Sequence, residues 1–170
     1  FGKKETAGCL DIIQDRRQRL VEFVSDGGRH LPNIAEARHM QQLGLQLGAD
    51  VPVFVFGENA WAEGVGEQLQ PVSLPPAWYV VFTPDVQVST AEIFASRELT
   101  RDTITAKMAA FFKGFGHNDL EPVVCRQYPA VADALEWLRQ FGDARISGSG
   151  ASVFLECTSE AEAQHVFAQK

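Results

Sequence analysis

The sequence lacks most of the features that mark membrane, secreted and nucleic-acid-binding proteins. Its longest apolar run, Val51–Phe56, is far shorter than the roughly 20 residues of a membrane-spanning helix, and its first residues lack a signal peptide's apolar run. Its three cysteines, Cys9, Cys125 and Cys157, lack the close spacing of a zinc site or a disulfide framework. The net charge of −7 disfavours binding to nucleic acid or to an anionic membrane, because both call for a basic face. We therefore expect a protein of the reducing cytoplasm.

Motifs for metals and dinucleotides are missing as well. The four histidines show neither the HxxxH nor the HExxH spacing, so no metal ligand is predicted. Residues 63–67 hold two glycines of a dinucleotide fingerprint but lack the third, and we interpret them as structural. The sequence also begins at Phe1 rather than Met, so we expect a fragment or a processed chain.

What is present is the composition of an ordinary globular protein. Hydrophobic residues make up 45% and charged residues 22% of the 170 positions, so the chain is expected to fold. Single domains usually run to about 100–200 residues, so this length suits one domain, or one domain with part of a second.

The order of apolar and turn-forming residues predicts mixed secondary structure. Apolar spacing predicts a helix over residues 9–24 and a second helix from the capping residue Asn33 to Leu47. Short β-prone runs then predict a hairpin and a third strand, at residues 59–63, 67–74 and 78–83. Further helices are predicted at residues 90–94, 103–112, 119–128, 129–141 and 159–169, and two strands, 144–146 and 151–157, flank a glycine turn. This arrangement indicates an α+β sandwich.

One carboxylate stands out. Asp50 follows Gly48 and Ala49 and precedes an apolar run, so small neighbours leave it access to a pocket. From the spacing alone, it is a catalytic base or, more often, a residue that merely caps the following helical turn.

A second candidate is the loop Ser-Gly-Ser-Gly-Ala-Ser at residues 147–152. Its glycines allow close approach of the main chain, and its N–H groups and hydroxyls suit an anion such as phosphate. It leads into an apolar strand and lacks the lysine and helix of a Walker-type loop. Taken by itself, the loop is therefore interpreted as a tight turn between two strands slightly more readily than as an anion-binding site.

Several segments together resemble one enzyme family. The sequence is similar to the 4-diphosphocytidyl-2-C-methyl-D-erythritol kinases of the GHMP kinase superfamily over about residues 43–169. The similarity is carried by residues 45–55, which include Gly-Ala-Asp-Val-Pro, and by residues 62–67, 78–81, 89–94, 118–121 and 147–154.

The resemblance implies a reaction and a catalytic base. Family members transfer the γ-phosphate of ATP, with Mg²⁺, to the C2 hydroxyl of a cytidine-diphosphate-linked polyol in non-mevalonate isoprenoid biosynthesis. By motif, Asp50 is the base that takes the proton of that hydroxyl.

The resemblance also assigns a substrate site and a loop. Phe94 corresponds to the aromatic residue that stacks on the cytosine ring, and Thr90 lines the same site. Gly148, Ser149 and Gly150 correspond to the third GHMP motif, which helps to shape the active site beside the phosphates.

Departures from the family pattern limit what is implied. Ala91 stands where relatives often have Pro, and Ala95 where a Lys often follows the aromatic residue. The sequence contains neither the Pro-Xaa-Lys-Xaa-Asn-Leu segment nor the glycine-rich PxGGGLGGGSS loop of the ATP-binding half. Phosphoryl transfer depends on positioned charge around the γ-phosphate, so we predict that this 170-residue chain alone lacks useful kinase activity.

The resemblance suggests two domains and three hypotheses. Residues 1–46 are predicted to be a helical remnant or replacement of the ATP-binding domain, and residues 47–170 the carboxy-terminal, substrate-binding domain. The first hypothesis is a kinase-derived chain, and the second is a non-catalytic module for substrate binding or self-association as a homo-oligomer. The third, another GHMP kinase such as one acting on mevalonate derivatives, is disfavoured by the long match around Asp50.

Overall fold

The computed structural model of the protein describes residues 8–14, 34–103 and 116–170. The chain divides into two compact units. The sheet unit comprises Phe1–Asp15 and Ala77–Lys170, and the hairpin unit comprises Arg16–Pro76. In chain order, the elements are β1 (Gly8–Gln14), α1 (Ile34–Leu47), α2 (Val51–Phe56), β2 (Ala60–Glu63), β3 (Gln68–Pro71), β4 (Trp78–Pro84), α3 (Thr90–Ala95), α4 (Glu121–Gln127), α5 (Pro129–Arg139), β5 (Arg145–Ile146), β6 (Val153–Cys157) and α6 (Glu160–Phe167).

The sheet unit is built on four antiparallel strands in the order β1–β4–β6–β5. β4 pairs with β1 along its whole length and with β6 from Trp78 to Phe82. The short β5 pairs with the other side of β6, where Ile146 lies opposite Val153. β4 and β6 are therefore the inner strands, and the loop that joins β5 to β6 lies at one end of the sheet.

The core of the sheet unit lies between this sheet and helices α5 and α6. Buried residues alternate along β4 and β6, as expected of strands that turn one face towards helices. Phe82 packs edge-on against Trp137 of α5, with ring centroids 6.0 Å apart. The helices contribute further buried residues, among them Leu135, Leu138, Ala163 and Val166. Burial of each such leucine stabilises the fold by about 1.5–3 kcal/mol relative to exposure.

In its described part, residues 34–76, the hairpin unit contains α1, α2 and the β2–β3 hairpin. Gly44 of α1 is buried, and a Cβ at this position would lie 2.8 Å from Cγ1 of Val51, so its absence lets α2 approach closely. β2 and β3 pair antiparallel, and the N–H of Val72 donates to the carbonyl of Asn59 just beyond the ladder. Residues 34–76 thus form two packed helices followed by a two-stranded sheet.

The structure corrects the prediction at the amino-terminal end. Residues 8–14 form strand β1, whereas residues 9–24 were expected to form a helix. The run Leu10, Ile12 and Ile13 suits either structure locally, and backbone pairing with β4 decides for the strand. The predicted amino-terminal helical segment is therefore helical from Ile34 to Leu47 but not at residues 8–14, and residues 15–24 lie outside the described ranges.

Most other predicted elements are confirmed. The hairpin, the strand at residues 78–84 and the final strand, turn, strand and helix all occur within a few residues of their expected limits. The α+β fold class is confirmed as well. Pro122 lies in the first turn of α4, where its missing N–H costs nothing. The Asn33 cap and residues 104–112 of another predicted helix lie outside the described residues.

The two units do not coincide with the two predicted domains. The expected boundary between residues 46 and 47 falls at the end of α1, inside the hairpin unit, whereas the units divide after Asp15 and after Pro76. The units reflect contacts within this chain, so the domain assignment by resemblance stays a prediction. None of the helices in the described ranges combines the length and apolar character that a membrane span requires.

Candidate functional site

Asp50 lies at the start of α2, in the hairpin unit. It occupies the N-cap position with φ −85° and ψ −15°, yet its side chain makes no capping hydrogen bond. The residue is exposed. Asp50 thus stands at the position that the capping interpretation expects, but its carboxylate makes no capping hydrogen bond, and its role as a base stays a prediction.

The hairpin turn determines the backbone next to Asp50. Gly66 has φ +106°, and a Cβ at this position would lie 2.5 Å from the carbonyl oxygen of Ala49. Only glycine combines this backbone conformation with such a close approach. The Gly-Val-Gly segment thus lies in the turn of the hairpin, as expected, and its second glycine packs against the residue that precedes Asp50.

A carboxylate organises the same turn. Oε2 of Glu67 accepts a hydrogen bond of 2.8 Å from the N–H of Val65. The pKa of Glu67 is lowered, first by its own backbone N–H and then by the side chain of Gln68 and the N–H of Val65. The carboxylate is therefore ionised at neutral pH and accepts the N–H of Val65 within the turn.

The second candidate, the loop between β5 and β6, is a turn held by two backbone hydrogen bonds. The N–H of Ser147 donates to the carbonyl of Ser152, and the N–H of Gly150 donates to the carbonyl of Ser147, each at 2.9 Å. Gly148 and Gly150 have φ values of +55° and +87°. Within the described part of the chain, no hydrogen bond uses the N–H of Gly148 or Ser149, so both can serve an anion.

Helix α3 brings Thr90 to this loop. Ser89 caps the helix by accepting a hydrogen bond of 3.3 Å from the N–H of Glu92, and its own N–H donates to the hydroxyl of Tyr128. The hydroxyls of Thr90 and Ser149 are 2.7 Å apart. Two residues that the resemblance assigned to different parts of the site are thus in direct contact.

Phe94 lies one helical turn after Thr90 and has an exposed side chain. Its relative exposure is 56%, which is high for an aromatic residue and suits a platform for a flat ring. Arg101 fixes the end of α3 by donating to the carbonyls of Phe94, Ser96 and Leu99 at 2.6, 3.1 and 3.1 Å. The sequence reasoning missed this role of Arg101, because no local pattern connects it with α3.

Asn118 was also missed. Its side-chain nitrogen donates to the carbonyls of Ile146 and Gly148 at 3.2 and 2.7 Å, and its side-chain oxygen accepts from the N–H of Leu120 at 3.0 Å. The only signal in the sequence was that residues 118–121 belong to the family resemblance, which gave the asparagine no role.

The predicted site residues divide between the two units. Thr90, Phe94 and the loop of Gly148, Ser149 and Gly150 belong to the sheet unit, where the structure connects Thr90 with Ser149. Asp50 belongs to the hairpin unit.

The side chains and N–H groups of the described residues limit which metal ions and nucleotides they could hold. Across residues 8–14, 34–103 and 116–170, no three or more His, Cys, Asp or Glu side chains form a group able to hold a metal ion. Mg²⁺ in phosphoryl-transfer sites usually relies on one or two carboxylates together with substrate phosphates, so these residues form no cage of their own. The free N–H groups of the loop fit a phosphate oxygen, but they do not make up a complete site for ATP.

Comparison with known proteins identifies close relatives. Residues 101–169 match the family described as GHMP kinases C terminal. The chain is 60% identical over 129 residues to the 4-diphosphocytidyl-2-C-methyl-D-erythritol kinase of Thiobacillus denitrificans, an alignment that covers 76% of this chain and 46% of the relative. It is 59% identical over 131 residues to the protein of the same name from Nitrosomonas europaea, covering 75% of this chain and 47% of that one.

A solved structure agrees in fold. A crystal structure of 4-(cytidine 5'-diphospho)-2C-methyl-D-erythritol kinase matches with a TM-score of 0.61 and 21% identity, covering 96% of this chain and 82% of that chain. At this identity the match shows the fold alone. The chain spans about half the length of the curated relatives that it matches.

Proposed function

We propose that this chain, which is similar to the carboxy-terminal part of the 4-diphosphocytidyl-2-C-methyl-D-erythritol kinases and matches the GHMP kinase C-terminal family, provides the substrate-binding part of such a kinase. The reaction of the complete enzyme is transfer of the ATP γ-phosphate to the C2 hydroxyl of the cytidine-diphosphate-linked polyol. The acceptor is a small molecule, whereas a nucleic-acid partner is disfavoured by the net charge of −7.

Asp50 is the proposed catalytic base. Its carboxylate is exposed and makes no capping bond, so it is available to accept the proton of a substrate hydroxyl at hydrogen-bond distance. Gly66 packs on Ala49 and so restrains the backbone next to Asp50. This restraint would help to keep the Asp50 carboxylate close to the attacking hydroxyl oxygen of the substrate.

Phe94 and Thr90 are the proposed substrate contacts. The exposed ring of Phe94 offers a stacking surface for the cytosine base, and Thr90 offers a hydroxyl one helical turn away. The single observation that supports the proposal most is the 2.7 Å contact between Thr90 and Ser149, because it joins the proposed substrate helix to the proposed phosphate loop.

The role of the loop is to shape the phosphate side of the site. The N–H groups of Gly148 and Ser149 lie in a turn with positive φ angles at its glycines, and backbone N–H groups in such turns bind anions. ATP supplies the phosphoryl group, and Mg²⁺ would offset the charge of its phosphates. The sequence contains neither the glycine-rich ATP loop nor the partner Lys motif, so we expect these from an amino-terminal half.

The test compares four proteins in an ATP-consumption assay with 4-diphosphocytidyl-2-C-methyl-D-erythritol and Mg²⁺. They are the 170-residue chain, the aligned part of this chain fused behind the amino-terminal half of the Thiobacillus denitrificans relative, and the Asp50→Asn variant of each. We expect turnover only from the unmodified fusion, with a loss of about 10²–10⁴-fold on removal of the base.

Each other outcome contradicts a definite part of the proposal. Turnover by the 170-residue chain that depends on Asp50 would show that the missing motifs are dispensable. A fusion that turns over equally well with Asn at position 50 would remove Asp50 from the mechanism. A fusion that binds the polyol but never consumes ATP would favour the non-catalytic binding module.

A further inference from the structure

Asn118 connects three segments of the sheet unit through one amide group. It precedes α4, and its side chain contacts the backbone of Ile146 at the end of β5, Gly148 in the loop and Leu120 beside it. Ile146 and Gly148 lie 28 and 30 residues away along the chain, so these are tertiary contacts rather than features of a local turn.

The chemistry of the contacts requires an amide at this position. The two carbonyl oxygens can only accept, so the atom that faces them is a donor; the N–H of Leu120 can only donate, so the atom that faces it is an acceptor. A carboxylate would keep the bond to Leu120 but would bring an oxygen to within about 3 Å of both carbonyls. Asparagine thus combines a local acceptor with two long-range donors.

The contact reaches the proposed substrate helix through the loop. Fixing the carbonyl of Gly148 holds the peptide that joins it to Ser149, and the hydroxyl of Ser149 lies 2.7 Å from that of Thr90. Gly148 has positive φ, and a Cβ at that position would meet nothing within 4 Å, so no neighbouring side chain packs against that side of Gly148. The asparagine amide therefore restrains Gly148 directly, in addition to the two backbone hydrogen bonds of the turn.

We propose that Asn118 is a positioning residue of the substrate site: it holds the loop of residues 147–150 in the conformation in which Ser149 meets Thr90. The inference rests on the proposed function, in which Thr90 contacts the substrate and the loop borders the phosphates. Asn118 itself touches neither substrate nor reacting atoms in this scheme and acts through Gly148 and Ser149.

The experiment uses the 170-residue chain and its Asn118→Asp variant. This substitution keeps the acceptor for the N–H of Leu120 and removes the donations to Ile146 and Gly148, so it separates the local contact from the two long-range contacts. The matched control for the added charge is Gln164→Glu, at an exposed position of α6. Amide hydrogen exchange of Gly150 reports the loop, and calorimetric titration with 4-diphosphocytidyl-2-C-methyl-D-erythritol reports the site.

We expect Asn118→Asp to speed exchange of the Gly150 amide about tenfold and to weaken substrate binding about tenfold, with Gln164→Glu within about twofold of wild type in both. Repeating both measurements in a Thr90→Val background tests whether Asn118 acts through the contact between Ser149 and Thr90. If Asn118 acts on the substrate site through the contact between Ser149 and Thr90, its substitution has a smaller effect on affinity once that hydroxyl is gone.

The outcomes separate the two proposals. Unchanged exchange of Gly150, or effects of Asn118→Asp and Thr90→Val on affinity that simply multiply, would overturn the positioning role. Faster exchange with unchanged affinity would overturn it too. A wild-type chain that binds no substrate would refute the proposed function, and the exchange measurements in the two backgrounds would then still decide the role of Asn118.

Discussion

Gly57 and Gly66 illustrate how two glycines with similar backbones differ in what they require. Both have positive φ, +74° and +106°, which disfavours any side chain. Around Gly57 a Cβ would find nothing within 4 Å, whereas at Gly66 it would meet the carbonyl oxygen of Ala49 at 2.5 Å. The first position therefore demands glycine for conformation alone, and the second for conformation and space.

Substitution of the two glycines separates these requirements. Gly57→Ala should lower the free energy of unfolding by about 1–2 kcal/mol through backbone strain. Gly66→Ala should cost about 1–3 kcal/mol more, because the Ala49 carbonyl must move. Urea unfolding followed by ¹⁹F NMR of fluorotryptophan at Trp61, which lies in the hairpin unit, measures both. Equal losses at the two positions would contradict the close approach of Gly66 to Ala49.

Helix α6 shows how a short element is fixed by its first turn. Ser159 accepts a hydrogen bond of 3.2 Å from the N–H of Glu162, and Glu162 accepts from the N–H and hydroxyl of Thr158, both at 2.8 Å. These bonds from Thr158 lower the pKa of Glu162. The first turn is thereby fixed in the position from which Ala163 and Val166 enter the core.

The cap of α6 predicts a dependence of stability on pH. The folded pKa of Glu162 lies below its usual value of 4.5, so its contribution is fully present above that value and is lost as pH falls through the folded pKa. The stability difference between wild type and Glu162→Gln should therefore be constant at neutral pH and shrink below 4.5. Urea unfolding across pH 3–8 measures it.

Two control variants show whether the pH dependence comes from the Glu162 carboxylate in the cap. Ser159→Ala removes the other half of the cap and should cost about 1 kcal/mol at every pH, because a hydroxyl does not titrate in this range. Glu160→Gln removes a carboxylate from the same turn and keeps the contacts of Thr158. A pH profile for Glu160→Gln identical to that of Glu162→Gln would assign the effect to general charge rather than to the cap.

At the scale of the whole molecule, stability of the sheet unit depends on one apolar core. The buried residues of α4, α5, α6, β4 and β6 form a single cluster. Leu138 of α5 is fully buried within it, at 0% exposure, whereas Leu47 at the end of α1 is 83% exposed. The same substitution at these positions should therefore have very different effects.

Leu138→Ala should lower the free energy of unfolding of the sheet unit by about 2–5 kcal/mol, because it leaves a cavity that the surrounding sheet and helices fill only in part. Leu47→Ala should stay within about 0.5 kcal/mol of wild type. Urea titration with the fluorotryptophan signals of Trp78 and Trp137, both in the sheet unit, provides the measurement. A loss at Leu138 no larger than at Leu47 would show that this core does not limit stability.

Local signals in the sequence predicted much of this fold. Glycine and proline positions predicted the hairpin and the turn between β5 and β6, because few other residues adopt those backbones. Apolar spacing predicted α1, α5 and α6. The failure at residues 9–14 has the same origin, since a short apolar run fits a helix or a strand and only its partner decides.

The sequence by itself determined the family resemblance, the candidate base Asp50 and the glycine loop, because each is recognised from a short run of neighbouring residues. Only the tertiary structure decided that β1 pairs with β4, that Thr90 meets Ser149 across 59 residues, and that Asn118 donates to the carbonyl of Gly148 from 30 residues away. Such contacts depend on how the sheet and helices pack. Hydrogen bonds between distant residues leave no periodic pattern in the chain, so their partners emerge only when the core has brought them together.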